Sequence, residues 1–152
     1  MIIIKDGSNN IEEVKQLIKE YLIFLNRDLS FQNIEEELSD LQEKYTGNNG
    51  EILIAIVDHQ IAGCVAYYKH NELRCEMKRL FVRDEYRGLK IGNMLVEEIV
   101  KHACMRGYQE MVLDTIEPLK AARHIYKKNG FVECDAYYDN PMEDVIYMKK
   151  DL

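Results

Sequence analysis

Arg87, Gly88, Lys90 and Gly92 lie close together in the run YRGLKIGNML, residues 86–95, of a chain that has eight glycines in all. Two cations interleaved with two glycines, directly before an amphipathic stretch, exceed what a turn requires. A helix N-terminus carries unpaired backbone N–H groups and a partial positive charge, and glycines let a ligand come close to that backbone. The segment from Arg87 through Gly88, Leu89, Lys90, Ile91, Gly92 and Asn93 therefore reads as a cradle for a phosphate or pyrophosphate. The extended residues just before it, Leu80, Phe81 and Val82, offer strand-like hydrogen bonds to an elongated ligand. Neither the G-x-x-x-x-G-K-[ST] run of a P-loop nor the full G-x-G-x-x-G of a dinucleotide fold is present.

Charge points the same way. The net charge is −7, which argues against general nucleic-acid binding, where phosphate neutralisation needs a basic face. Yet Lys78, Arg79, Arg83, Arg87 and Lys90 cluster around the glycines. An acidic chain with one basic strip suggests an anionic ligand bound at one place.

These residues need elements to hold them. Ile2–Ile4 forms a short strand, ended by Asp6, Gly7 and Ser8. Apolar residues at three and four spacing from Ile11 to Leu25 predict a first helix, with Asn9 or Asn10 as its cap. A weaker helical pattern runs from about Asn33 to Tyr45 and stops at the Gly47–Gly50 breaker. From Glu51 the period changes, and EILIAIV, QIAGCVAYY and LRCEMKRLFV read as an antiparallel meander. A helix over Asn93–Arg106 with Gly107 as its C-terminal cap, a strand at EMVLDT, a helix started by Pro118 and ended at Asn129 and Gly130, and two last strands at FVEC and DVIYMKK complete the order β α α β β β α β α β β. Length and this order predict a single mixed α/β domain over residues 1–152.

With 47% hydrophobic and 31% charged residues the composition is globular. Cys64, Cys75, Cys104 and Cys134 form no C-x-x-C pair and read as small buried thiols in a reducing compartment. The four histidines are scattered, so no metal site is expected. The N-terminal apolar run is too short for a signal peptide and no segment approaches bilayer length, which predicts a soluble, cytoplasmic protein with no membrane partner.

LFVRDEYRGLKIGNML (80–95) resembles the acetyl-CoA binding segment of the GNAT superfamily of N-acetyltransferases, whose loop follows Arg or Gln, two residues, Gly, any residue, Gly or Ala. Arg87, Lys90 and Gly92 fall on its three defined places, with a lysine where the family has its first glycine. IYKKNGFVE (125–133) is similar to the family segment in which a helical tyrosine precedes a Gly-Phe pair, and the element order matches the GNAT fold over about residues 2–150. LDTIEPLKAARHIYKKNGF and YYDNPMEDVIYMKKDL resemble a set of bacterial-type members. The resemblance implies a GNAT-like fold, a largely antiparallel sheet with one splayed parallel pair flanked by helices. It also implies an acetyl-CoA dependent N-acetyltransferase acting on a primary amine of a small molecule or peptide, and allows a homodimer. The alternative is an acyl-CoA-binding module that senses without catalysis.

On that resemblance the donor's pantetheine arm lies between LRCEMKRLFV and EMVLDT, with a backbone N–H of Phe81 or Leu80 on the thioester oxygen. Tyr126 takes the general acid's place and Glu76, alternating with Lys78 and Leu80 along one strand face, is the candidate base. Asp114 and Thr115 are further pocket candidates, and Tyr21, Tyr137, Tyr138 and Asn140 are expected to line the acceptor side. Residues 1–45 carry ten acids against five bases, which favours a cationic acceptor.

Overall fold

The computed structural model describes all residues, Met1–Leu152. One seven-stranded sheet forms the centre, made of β1 (Ile2–Asp6), β2 (Gly50–Val57), β3 (Gln60–Lys69), β4 (Arg74–Val82), β5 (Glu110–Ile116), β6 (Val132–Glu133) and β7 (Val145–Asp151), in the order β1-β2-β3-β4-β5-β7-β6. Helices α1 (Ile11–Leu25), α2 (Ile34–Ser39) and α3 (Leu41–Tyr45) cover one face, α4 (Ile91–Met105) and α5 (Lys120–Lys128) the other. The mixed α/β order read from the sequence is the observed one, save that the second expected helix is split in two.

Each face has its own core. Leu53, Val65, Met77, Leu95, Ile99, Leu113 and Phe131 are sealed beneath α4 and α5, while Leu17, Ile18, Leu41, Tyr45 and Ile54 are sealed beneath α1 and α3. A fully buried side chain of this size contributes about 1.5–3 kcal/mol through burial, so the alternation along the central strands is what fixes the two layers.

Local differences from the expected elements have local causes. The helix expected over Asn33–Tyr45 is two short ones, because Asp40 leaves helical angles (φ −148°, ψ 66°) and its carboxylate accepts the Glu43 N–H as a new N-cap. Asn10 stands at the N-cap of α1 but its side chain makes no capping bond. Helix α5 begins at Lys120, two residues after Pro118, since the chain turns through Leu119 N–H to Ile116 C=O before it winds. Cys64 and Cys75 are buried, but Cys104 is exposed and Cys134 half-buried, which corrects the expectation of four buried thiols.

Two features of β4 set the site. Its pairing with β5 is parallel and covers only Arg74–Glu76 against Glu110–Val112, after which the strands separate. Opposite, the register against β3 shifts between Cys64 and Ala66, and Arg79 takes a left-handed φ of 62°. Such a bulge puts two successive residues on one side. Lys78 and Arg79 accordingly both face the α1–α3 layer, and Leu80 is thrown to the α4 face. Glu76 and Lys78 do share a face, but Leu80 does not join them as simple alternation predicts.

Candidate active site

The junction from β4 to α4 is built as an anion cradle. Gly88 and Lys90 both hold positive φ, 89° and 64°. The lysine at the family's glycine place therefore adopts the angle a glycine would, at a cost of about 1–2 kcal/mol. Lys90 is the N-cap of α4 and supplies no capping side chain, and none of the backbone N–H groups from Gly88 to Asn93 donates to a protein acceptor. Six consecutive free donors at the positive end of a 15-residue helix make a strong site for oxyanions. Gly92 permits close helix packing: a Cβ there would stand 3.0 Å from Ile125 Cδ1 on α5.

The expected basic strip is dispersed. Arg79 is buried on Glu37 (2.8 and 3.1 Å), Arg83 forms a bidentate pair with Glu20 (2.9 Å each), and Lys78 lies 3.2 Å from Glu76, all away from the cradle. Only Arg87 and Lys90 line the groove, and Arg87 pairs with Asp84 at 2.6 Å while its guanidinium lies 4.7 Å over the Phe24 ring. Lys120, His124 and Lys128, one helical turn apart on α5, line the facing wall. The sequence reading missed them, although their i, i+4, i+8 spacing on a helix ending in the second motif was a usable signal. The Leu89 side chain is exposed and is not among those lining the groove, so its part in the cradle is its backbone N–H.

From the cradle a groove open to solvent runs along the separated edges of β4 and β5. The Arg83 N–H donates to Ala62 C=O (2.8 Å), so by strand alternation the polar groups of Phe81 face β3 and those of Val82 face the gap. Of the two N–H groups expected to reach a thioester, that of Phe81 is thereby turned away. Its ring packs instead against Tyr21, with centroids 5.9 Å apart.

The groove ends at Tyr126, which is 7% exposed. The second motif explains its placement. Gly130 N–H bonds to Lys127 C=O and Phe131 N–H to Tyr126 C=O, with Gly130 at φ 92°, a Schellman cap whose apolar contact is Phe131 edge-on to Tyr126 at 6.0 Å. The Gly-Phe pair thus fixes the last turn of α5 and with it the tyrosine. Burial, then the neighbouring Tyr21 and the Asp114 charge, push the Tyr126 phenol well above its ordinary range. It stays protonated at neutral pH.

Behind the groove, Tyr21, Leu80, Asp114, Thr115 and Tyr126 also line a narrower inner cavity reaching Gln32 and Lys78. Burial pushes the Tyr21 phenol up to about 12. The Thr115 hydroxyl is sealed from solvent without a partner, a buried polar group that a ligand in the cavity would satisfy. Asp114 Oδ2 accepts from the Tyr138 hydroxyl and from Asn140 Nδ2 (2.9 Å), and Oδ1 takes no hydrogen bond from the protein. Asn140 is buried and lines neither cavity; it holds Asp114 in place.

Glu76 stands elsewhere. It is 2% exposed and accepts from Tyr68 (2.8 Å), His70 Nε2 (2.8 Å) and Tyr137 (2.9 Å), with Lys78 at 3.2 Å. Although burial opposes ionisation, the bonds from His70, Tyr68 and Tyr137 and the Lys78 charge hold its carboxyl down at about 2. A carboxylate so fully engaged is a weak proton acceptor, and it lines neither the groove nor the inner cavity. The base role expected of it has no support in this arrangement. Tyr137 and Tyr138 line the polar pocket beside it.

No three His, Cys, Asp or Glu side chains converge as a metal site would require, and no helix is long and apolar enough to cross a membrane.

A parallel pair opened beside a helix-capped cradle, with a capped tyrosine along the same groove, suits an elongated ligand with an anionic end. Residues 12–131 match the acetyltransferase (GNAT) family model, and the chain belongs to that family. It is 42% identical over 145 residues to an uncharacterised N-acetyltransferase of Schizosaccharomyces pombe, covering 94% of this chain and 89% of that one. It is 35% identical to an uncharacterised N-acetyltransferase of Dictyostelium discoideum, covering 96% of each. These relatives are eukaryotic, which corrects the bacterial-type assignment. In fold the chain is similar to the PaiA N-acetyltransferase of Thermoplasma acidophilum in complex with coenzyme A, with a TM-score of 0.73, 21% identity and coverage of 100% and 99%.

Proposed function

We propose that the protein transfers an acetyl group from acetyl-CoA to a primary amine. The observation that carries this reading is the unbroken run of unpaired N–H groups from Gly88 to Asn93 at the mouth of a groove that leads to Tyr126. A diphosphate suits the run, the Lys120, His124 and Lys128 wall suits further phosphate, and the gap beyond Glu76 suits an extended arm.

Acetyl-CoA supplies the acyl group as a thioester; the chain's residues position it and move protons. The Val82 N–H, which faces the gap, donates to the extended arm as a neighbouring strand would, while its C=O accepts from Arg87 Nε (3.2 Å). Asp114 Oδ1, the open carboxylate oxygen at the junction of groove and inner cavity, draws in the acceptor's ammonium and takes its proton. As the new N–C bond forms and the C–S bond breaks, the Tyr126 hydroxyl gives its proton to the departing sulfur. A phenol pushed up by burial is a reluctant acid, but it is reliably protonated, and a nascent thiolate in the same dry site is equally destabilised. Asp114 then releases its proton to solvent, and the second proton that the nitrogen loses as the amide forms restores the Tyr126 hydroxyl through solvent, leaving amide, free thiol and one proton.

Calorimetric titration of acetyl-CoA and CoA into wild type and Gly92→Glu tests the donor half, and release of free thiol on adding amines tests the transfer. Binding that Gly92→Glu abolishes supports the reading. Wild-type protein that binds neither form of CoA removes it.

A further inference from the structure

Resting on the acetyltransferase reading, we infer that the acceptor is a small amine whose far end carries an anionic oxyacid group, held in the polar pocket between β4, the β3–β4 turn and the segment before α2. This pocket, open to solvent on one side, is lined by Lys44, Lys69, His70, Arg74 and Lys78, with Glu76 as its one carboxylate. It meets the inner cavity through shared walls, Gln32 and Lys78. Gln32 and Lys78, hydrogen-bonded at 3.4 Å, form the partition between the cavity at Tyr126 and Asp114 and this cation-lined pocket, and an acceptor that reaches both would lie against that pair.

The charges there do not balance. Arg79 and Lys44 share Glu37, with Lys44 Nζ at 2.7 Å, and Lys78 meets Glu76, so three cations face two carboxylates that are 1% and 2% exposed, while Lys69 is neutralised by Glu72 at 2.5 Å and adds nothing to the excess. Both carboxylates are fully engaged. Glu37 is held down at about 2 despite its burial by the bonds and charges of Arg79 and Lys44. Neither can neutralise a further cation. Arg74 adds a guanidinium at the rim, fixed by donating Nε–H to His70 Nδ1 (3.0 Å) and lying 5.7 Å from the Tyr137 ring, with only a long 3.9 Å approach to Glu110. An uncompensated positive cluster in a partly desolvated pocket selects an anion. An ammonium there would gain no unengaged carboxylate.

The acidic first 45 residues do not reverse this. Glu20 is spent on Arg83, Glu37 on Arg79, and Asp40 on the cap of α3, while Asp28, Glu35 and Glu36 line a separate surface depression. None of them lines the pocket. The acceptor is then held from both ends: its ammonium at Asp114, its anion at Lys78 and Arg74. That arrangement selects against simple polyamines, which would bring a second cation to Lys78.

The test is a steady-state comparison of L-glutamate and O-phosphoethanolamine, which separate carboxylate from phosphate, with ethanolamine and putrescine, alongside calorimetry with CoA. An anionic acceptor is expected to show kcat/KM at least tenfold above ethanolamine, with putrescine the poorest. Arg74→Gln and Lys78→Gln should raise KM for that acceptor about fivefold or more, through lost charge in a partly dry site, with CoA affinity unchanged as the check on folding. Putrescine or ethanolamine preferred, with CoA still bound, overturns the anionic acceptor and leaves the acetyltransferase reading standing. So does an anionic preference that neither variant weakens, as regards the place of binding. Absence of CoA binding in wild type overturns both.

Discussion

The groove beside the α4 cradle and the polar pocket at Glu76 both flank β4, and they are made of different material. The groove's binding groups are backbone: free N–H groups at the start of α4, left-handed angles at Gly88 and Lys90, and the unpaired edge of β4. The pocket's binding groups are side chains drawn from well-separated segments and tied to one another, Glu37 to Arg79 and Lys44, Glu76 to Tyr68, His70, Tyr137 and Lys78. A backbone site is damaged by adding atoms and tolerates their removal. A side-chain site behaves the other way.

The sharpest separation lies where the two meet. Tyr126→Phe should lower kcat about 10²- to 10⁴-fold, the range for lost general acid catalysis, while leaving CoA affinity within about twofold. An equal fall in both, read by initial rates and calorimetry, would make Tyr126 a packing residue. On the pocket side, Glu37→Ala strands the buried Arg79 and should cost about 3–5 kcal/mol of stability in a denaturant titration. A loss under about 1 kcal/mol would show the pair to be solvated and weak.

Adding atoms should injure the groove. Gly92→Glu forces a side chain toward Ile125 and sets a carboxylate among the free N–H groups, so CoA affinity should fall about 100-fold, near 2.7 kcal/mol. Arg87→Ala removes a side chain already engaged by Asp84 and Phe24, and should weaken binding only about three- to fivefold, within the range of an exposed charge pair. If Arg87→Ala matched Gly92→Glu, the cradle would be a side-chain site after all.

The pocket also has a pH signature. The Glu76 carboxyl lies at about 2 when folded, against an ordinary 4.5. Its contribution is therefore full above pH 4.5 and is lost as pH falls from there toward 2. Glu76→Gln should flatten acid destabilisation across that window, measured by melting temperature against pH. An unchanged slope would mean that other carboxylates govern it.

The same contrast explains what could be read beforehand. A backbone site must recur in sequence as local glycines and caps, so YRGLKIGNML and IYKKNGF announced the cradle and the Schellman cap that seats Tyr126. The alternation of the central strands gave the two layers. The pocket has no such local signal, because Lys44, His70, Lys78 and Tyr137 are brought together only by the tertiary fold. Glu76 was picked for its strand and its residue type, but its acidity depends on Tyr68, His70 and Tyr137, which no spacing reveals. The left-handed bulge at Arg79 was equally silent, since nothing about an arginine suggests φ of 62°. It dispersed the basic strip over two faces.

The three-residue ladder between β4 and β5 has a mechanical meaning for the whole molecule. Strands β1–β4 and strands β5–β7 are two leaves of a book joined at one end of the spine, and below Glu76 no backbone pairing holds the pages together. A bound pantetheine would serve as the missing stitch, so the leaves should stiffen on binding. Hydrogen exchange at Val82 and Asp114, whose N–H groups face the gap, would slow, and at a hundredfold excess over Kd the folded state would gain about 2.7 kcal/mol.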